Sequence, residues 1–502
     1  MMRITNAMMT SNTKNNININ KLNEDKLNTQ LSTGQKISRP SDDPVIAIRA
    51  LRLNTNISQL NQYYEKNIPD ATAWMEVTET ALTQTNEIYT NIKENLTTGA
   101  SDTNTASDRQ KLLESLKGLR DEIYSSGNAD YAERTVFTGY RTGESLTFLE
   151  TDTDLNCNYK IHETFDVDDF KSYNYITTSS DGTEQTVTST DINRLRLSYD
   201  TVKTADGKLV IKDSTGVTYS LSVTAKSIAG KSQTEIDDIY TGVTGEQIVL
   251  IEETGELILG DDAMEKFVSK GVDISYEYNK SSWESGDLRP EHYFACVQTV
   301  DGKDTYFNYD LKDDGTPDPT KPNFKNQDMQ VEISFNQKIT INTHADEVYF
   351  HDIGRELDDL IQITQDVVNC ESTVTELQKQ VDNATDETTK AALQIKLDAA
   401  SKEFSLKKDK MQKAFSNAID IYEDYADKNN LAIANIGSMQ SRLEITKQRV
   451  ADQLQSFKEL ADDNINASIT DTAIDLNSAE LALSAAQLAA SKIAQQTLLD
   501  YL

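Results

Sequence analysis
Between residues 57 and 96 the core-type positions are Ile57, Leu60, Tyr64, Ile68, Ala71, Met75, Thr78, Leu82, Thr85, Tyr89, Ile92 and Leu96. The steps alternate almost without fault between three and four residues. Such spacing keeps one stripe of a helix turned toward a partner. The pattern predicts a helix from Pro44 to about Thr97, roughly 80 Å long at about 1.5 Å per residue. Ser41-Asp42-Asp43-Pro44 marks its start: proline is tolerated in a first turn, where its missing N–H costs nothing, and Asp43 is placed to cap. A second arm (Leu112, Leu116, Leu119, Ile123) follows a polar break from Gly99 to Ser107.

The C-terminal flank repeats the theme. Leu393, Leu397, Ala400, Phe404, Met411, Phe415 and Ile419 run along one face. Ile436, Leu443, Val450 and Phe457 then recur at sevens, with Leu454 and Ala461 between. Helices this long predict a mainly α rod of antiparallel coiled-coil helices from both termini. In that rod the seam sets Ile57, Tyr64, Ile68, Met75, Leu82 and Tyr89 against Leu443, Val450, Leu454 and Phe457. Residues 371–411, dense in charge, read as a helical excursion. The extreme ends are different. Residues 1–31 place Ile4, Met8, Leu22 and Leu31 on one helical face but carry eight Asn in the first 28 positions, so this arm is marginal alone. The last arm, with Leu488, Leu498, Leu499 and Leu502, ends on bare apolar side chains, which call for a covering partner.

The middle of the chain changes period. Leu209-Val210-Ile211, Val217-Thr218-Tyr219, Ile248-Val249-Leu250-Ile251, Tyr276-Glu277-Tyr278, Tyr306-Phe307-Asn308-Tyr309 and Val331-Glu332-Ile333 are β-type runs. Asp181-Gly182, Asp206-Gly207 and Asp301-Gly302 lie between them and favour hairpin turns. Residues 150–352 therefore predict a mostly β insertion. That stretch holds 21 of the 36 aromatic residues and a net charge of −21 out of the total −33.

Charge and composition narrow the function. A net charge of −33 over 502 residues repels phosphate, so nucleic acid is no partner. No run of about 18 apolar residues exists to insert in a membrane, and the start lacks the apolar core of a cleaved secretory signal. Cys157, Cys296 and Cys370 are odd in number and far apart, and read as isolated thiols. His162, His292, His344 and His351 are too few and scattered for most metal or triad chemistry; His344-Ala345-Asp346 with His351-Asp352 reads as a turn entering a helix. Asp310-Leu311-Lys312-Asp313-Asp314-Gly315 hints at a calcium loop, but Lys312 and Lys321 stand where ligands belong. Asp42-Asp43 and Asp261-Asp262 suit caps and turns better than acid/base pairs. No catalytic motif is present, and neither an enzyme, a cofactor nor a metal is expected.

Specific motifs sit near the ends. Gln30-Leu31-Ser32-Thr33-Gly34-Gln35-Lys36-Ile37-Ser38-Arg39-Pro40-Ser41-Asp42-Asp43-Pro44 resembles the flagellin superfamily. Its Pro-Ser-Asp-Asp-Pro close is similar to the hook–filament junction branch, whereas filament flagellins usually continue Asp-Asp-Ala-Ala-Gly. Asn67-Ile68, Val136-Phe137-Thr138-Gly139-Tyr140, Asn435-Ile436-Gly437-Ser438-Met439-Gln440-Ser441-Arg442-Leu443 and the closing Leu498-Leu499-Asp500-Tyr501-Leu502 also look like that branch. The resemblance covers about 1–148 and 412–502; the middle region is larger than usual there. It implies a structural subunit exported unfolded through the flagellar type III apparatus, with an export chaperone and without a cleaved signal, to the extracellular flagellum. The implied partners are further copies of the chain in a ring, one per protofilament, hook-associated protein 1 beneath and flagellin above. The expected organisation is an assembly arm at 1–43, helical rod at 44–149 and 353–464, an outward-projecting β domain at 150–352, and a second arm at 465–502. A filament flagellin is the alternative, and a surface-displayed glycan-binding or adhesive protein a more distant one.

Overall fold
A computed structural model describes residues 6–101, 103–152, 155–181, 184–212, 216–270, 273–325 and 327–499. The helices are α1 (Asn6–Thr33), α2 (Pro44–Gln62), α3 (Ile68–Gly99), α4 (Ala106–Glu122), α5 (Gln233–Thr241), α6 (Asp261–Lys270), α7 (Ala345–Val348), α8 (His351–Asn383), α9 (Glu387–Ile465) and α10 (Ile469–Leu499). The strands are β1 (Asp130–Tyr131), β2 (Arg134–Thr135), β3 (Asn158–Phe165), β4 (Lys171–Asp181), β5 (Glu184–Arg196), β6 (Lys203–Lys212), β7 (Thr218–Lys226) and β8 (Ile248–Ile251). They continue with β9 (Glu256–Leu259), β10 (Asp273–Lys280), β11 (Ala295–Val300), β12 (Lys303–Phe307), β13 (Tyr309–Leu311), β14 (Pro317–Pro322), β15 (Gln330–Ser334) and β16 (Gln337–Thr340). The chain is thus mainly helical with a large central sheet. It divides into two compact units. The smaller takes the stretch up to Ala71, Val331–Ile339 and everything from Ser441; the larger takes Thr72–Gln330 and Thr340–Gln440.

In the smaller unit, α2 begins as the sequence requires. Pro44 occupies the first turn, and the Asp43 carboxylate accepts from the amides of Val45 (2.9 Å) and Ile46 (3.2 Å). Asp42 serves the preceding loop, accepting from the amides of Arg39 (2.9 Å) and Ser38 (3.2 Å). Both carboxylates of this pair are therefore spent on backbone donors. α1 ends at Gly34, whose φ of +69° suits glycine. Gln35 and Asn466 then form an antiparallel bridge, and the Lys36 amide donates to the Ile465 carbonyl at 2.7 Å. This clasp sets the end of α1 beside the start of α10, and the two helices pack antiparallel. The Asn464 amide group reaches the Ile46 carbonyl at 3.1 Å, so the end of α9 meets the start of α2. Between α2 and α3 the chain makes one π-helical turn, Tyr63–Asn67. There Tyr63 donates to the Glu332 carboxylate (3.0 Å) and packs edge-on to Phe335, while Asn67 donates to the Glu332 carbonyl (2.7 Å). The β15–β16 hairpin is held by the helices through these contacts.

The larger unit centres on a ten-stranded sheet in the order β12-β11-β3-β10-β6-β7-β8-β9-β5-β4. All neighbours are antiparallel except β7 and β8, whose parallel pairing needs a crossover that α5 supplies. One core gathers Tyr159, Ile161, Leu209, Tyr276, Tyr278 and Leu250 with Phe267 of α6 and Trp283. Val249, Ile251 and Ile258 point the other way and pack on Ile239 and Tyr240 of α5. β8 is buried on both faces, which is why Ile248–Ile251 is an unbroken apolar run. Asp301-Gly302 forms the two-residue β11–β12 turn, both residues with positive φ (50° and 77°). Gly182 of the Asp181-Gly182 pair lies outside the described residues. Asp206-Gly207 corrects the sequence expectation: it makes no hairpin but bulges within β6, where the register against β10 jumps between Tyr276 and Tyr278. A bulge needs the same left-handed residue that a tight turn does, so the dipeptide alone does not tell them apart. The run Tyr306–Tyr309 is broken at Asn308 (φ 59°), whose amide donates to the carbonyls of Glu291 (3.0 Å) and Phe294 (2.6 Å).

Candidate assembly surfaces
Stripe residues occupy both units. Ile57, Tyr64 and Ile68 share the smaller unit with Leu443, Val450, Leu454 and Phe457, whereas Met75, Leu82 and Tyr89 belong to the larger. Ile68, Met75, Leu82, Tyr89, Leu443, Val450 and Leu454 are buried; Ile57, Tyr64 and Phe457 are half-buried. Thr78 and Thr85 sit on the stripe without penalty because their hydroxyls bond the carbonyls of Trp74 (2.8 Å) and Ala81 (2.9 Å). Thr85 Oγ1 also meets the Tyr349 hydroxyl at 2.8 Å. Burial of each large side chain contributes roughly 1.5–3 kcal/mol, so the stripe is a principal source of helical stability.

The arms are another matter. Met8 and Leu22 of α1 and Leu488 of α10 are exposed, and Leu31 is half-buried. Ile4 and Leu502 lie outside the described residues, as do the side chains of Leu498 and Leu499. Val45, Ile48 and Leu51 of α2 are 67%, 54% and 66% exposed at successive three-residue steps, a row on one face. Ile445 of α9 and Ile474 and Leu481 of α10 are exposed as well. Apolar rows of this extent on polar-backed helices suit contact with further protein.

Other candidates resolve into structure. Asp314 accepts from the Thr316 amide (2.9 Å) and hydroxyl (2.6 Å), closing the β13–β14 turn. His344 precedes α7 and meets Asp328 at 2.9 Å; His351 packs among Tyr199, Tyr293 and Phe294. Cys157, Cys296 and Cys370 are all buried, and Cys296 and Cys370 are free thiols. Sequence reasoning missed a buried ionic cluster that joins the sheet to α8. Arg194 pairs with Glu256 (2.6 Å) and Asp359 (2.7 Å), and Arg196 with Asp359 (2.5 Å) and Glu356 (3.4 Å). Burial alone would raise the Asp359 pKa, yet Arg196 and Arg194 hold it well below the usual carboxylate range. Beside this cluster a cavity of about 730 Å³ opens between β3–β5 and the helices α8 and α9, with charges of both signs in its wall. Lys410 faces it over the Tyr173 ring (3.7 Å), its pKa lowered by burial to about 8. Alternation in β5 hinted at an inward Arg194, but its partners lie too far away in sequence to be inferred.

The capped start of α2, and the Gln35 and Lys36 side of the clasp, lie in a stretch that matches a known family. Residues 4–142 match the family described as the bacterial flagellin N-terminal helical region. The chain is also similar to flagellar hook-associated protein 3. It is 31% identical over 142 residues to that protein of Salmonella typhimurium, covering 28% of this chain and 44% of the relative. With that of Escherichia coli it shares 31% over 150 residues, covering 30% and 47%. It spans less than half the length of these curated relatives. The solved structure of flagellar hook-associated protein 3 from Legionella pneumophila aligns at 9% identity and a TM-score of 0.29, over 81% of this chain and 96% of that one. Among the described residues no helix is long and apolar enough to cross a membrane.

Proposed function
We propose that the chain is a structural subunit of the bacterial flagellum, placed at the hook–filament junction and providing the platform on which flagellin polymerises. The 31% identity to hook-associated protein 3 over 142 residues carries this reading. The Pro-Ser-Asp-Asp-Pro start of α2 and the exposed row Val45, Ile48 and Leu51 support it. In this role the chain leaves the cell unfolded through the flagellar type III apparatus, released by an export chaperone. Copies then form a ring, one per protofilament, seated on hook-associated protein 1. The two termini pair as an antiparallel coiled-coil rod whose seam contains Ile57 through Tyr89 and Leu443 through Phe457. α1 and α10 become the inner assembly arms, and the acidic sheet region projects outward.

The test is location. A labelled chain on intact cells is expected as one narrow band at the base of each filament. Cells lacking the chain should keep hooks and shed flagellin into the medium. Label distributed along the filament would identify a filament flagellin instead, a reading that shares the same N-terminal helical region.

A further inference from the structure
Glu144, Glu291 and His292 bring three ligand atoms within 4.8 Å of one another. Glu144 lies in the loop after β2, its amide donating to the Arg141 carbonyl (3.1 Å) and its carbonyl accepting from Thr135 Oγ1 (2.8 Å). Glu291 and His292 lie on the 3-10 turn Pro290–His292. His292 Nε2 lies 3.1 Å from the Ser145 carbonyl. A carbonyl only accepts, so Nε2 carries the hydrogen, and Nδ1 of the neutral ring holds a lone pair.

His292 is 7% exposed and Glu291 2%, yet Nδ1 of the one and Oε2 of the other have no hydrogen-bond partner. A carboxylate oxygen and an imidazole lone pair cannot satisfy each other, and the exposed Glu144 carboxylate lies beside them. Buried acceptors left unmet are costly and call for an occupant. A water would meet only the two buried acceptors, Glu144 being open to solvent. A cation serves all three. The ring is also held as metal-bound imidazoles usually are, with its remote N–H on a carbonyl.

Two guanidinium groups stand nearby. Arg289 lies 3.3 Å from Glu291 Oε1 and 2.8 Å from Asp152, while Arg141 lies over the Phe307 ring. The three carboxylates outnumber the two cations by one, which is little attraction for a hard ion bound by charge alone. It favours a metal that bonds strongly to imidazole nitrogen. We propose that Glu144, Glu291 and His292 Nδ1 bind a divalent transition-metal ion of the zinc type, with water as fourth ligand. The ion would tie the loop after β2 to the turn before β11.

The test is titration of the purified full chain with zinc chloride by calorimetry, in a large excess of Mg²⁺ to fill the acidic surface. One Zn²⁺ per chain is expected. Glu144→Gln alters an exposed side chain and should weaken binding at least tenfold. His292→Gln preserves the N–H to Ser145 while removing the Nδ1 lone pair, and should do the same. Thermal unfolding with and without Zn²⁺ gives a second readout, because a ligand bound only to the folded chain raises the midpoint. The wild type should gain more than either variant. Absence of a stoichiometric site resistant to Mg²⁺ would mean that a proton on Glu291, or water, is the occupant, and overturns the proposal. Equal binding by wild type and either variant places the ion elsewhere and overturns it too.

Discussion
Glu163 is buried on β3 beneath three donors: the Ser198 amide (3.2 Å), the Ser198 hydroxyl (2.6 Å) and the Tyr278 hydroxyl (2.6 Å). Burial raises its pKa to about 7 although these bonds pull it down. The unfolded carboxyl, near 4.5, loses its proton first. Stability should therefore fall as pH rises from about 4.5 to about 7 and level off above. Glu163→Gln keeps an acceptor and lets one hydroxyl reverse. It is expected to flatten that slope and to exceed the wild type at pH 8 by up to about 3 kcal/mol. Urea unfolding at pH 5 and pH 8 measures it; a variant less stable at pH 8 by the same amount as at pH 5 would contradict the assignment. Asp359 has the opposite sign. Its depressed pKa gives stability that is present above the unfolded value near 3.8 and lost as pH falls through the folded one. Asp359→Ala leaves Arg194 and Arg196 short of a buried partner and should cost about 3–5 kcal/mol at neutral pH.

The helices differ in how well they are supported. α3 buries Trp74, Met75, Leu82, Tyr89, Ile92 and Leu96, while α1 has no fully buried side chain among those described and α10 only Thr472 and Ala479. Ordering costs about 1–2 kcal/mol per residue, which such burial does not offset. In the isolated chain, amides of α1 and α10 should exchange hydrogen far faster than those of α3; comparable protection would refute this. Val450 is fully buried, so Val450→Asp should destabilise the helices of the smaller unit, whereas Gln455→Asp on an exposed position should not, as read by circular dichroism on heating. The stripe from Ile57 to Leu96 was legible because burial repeats with the helical period. Asp43 and Pro44 were legible because capping is local. The π turn at Tyr63–Asn67 was not: its i→i+5 bond makes the buried positions step by five, from Tyr63 to Ile68, where steps of three and four select Tyr64. Nor was the β15–β16 hairpin's attachment to Tyr63, which joins residues 269 apart. Glu144 and His292 were unreadable as a pair for the same reason: chain distance hides whatever only folding brings together.

At the scale of the molecule, net charge and exposed apolar rows are segregated. Residues 150–352 hold −21 of the −33 net charge, and the terminal segments carry the exposed apolar rows. Mutual repulsion among acidic regions keeps neighbouring copies from associating through them, so these regions are suited to face outward. In the proposed role the ten-stranded sheet should therefore be dispensable for assembly, whereas the separate β15–β16 hairpin should not. Val331–Ile339 groups with the terminal helices, and its contacts include Tyr63, Asn67 and the Arg449–Gln337 hydrogen bond. Replacing residues 158–307 with a short Gly/Ser linker removes β3–β12 and leaves that hairpin in place. In the proposed role the chain is exported unfolded, so this variant should reach the medium and still support filaments, counted by electron microscopy. Extending the replacement through residue 340 strips Tyr63 and Asn67 of their partners on the hairpin. That variant should be exported equally well but carry few filaments and release flagellin. If both variants build filaments, the hairpin has no part in assembly; if neither does, the sheet itself belongs to the assembling core.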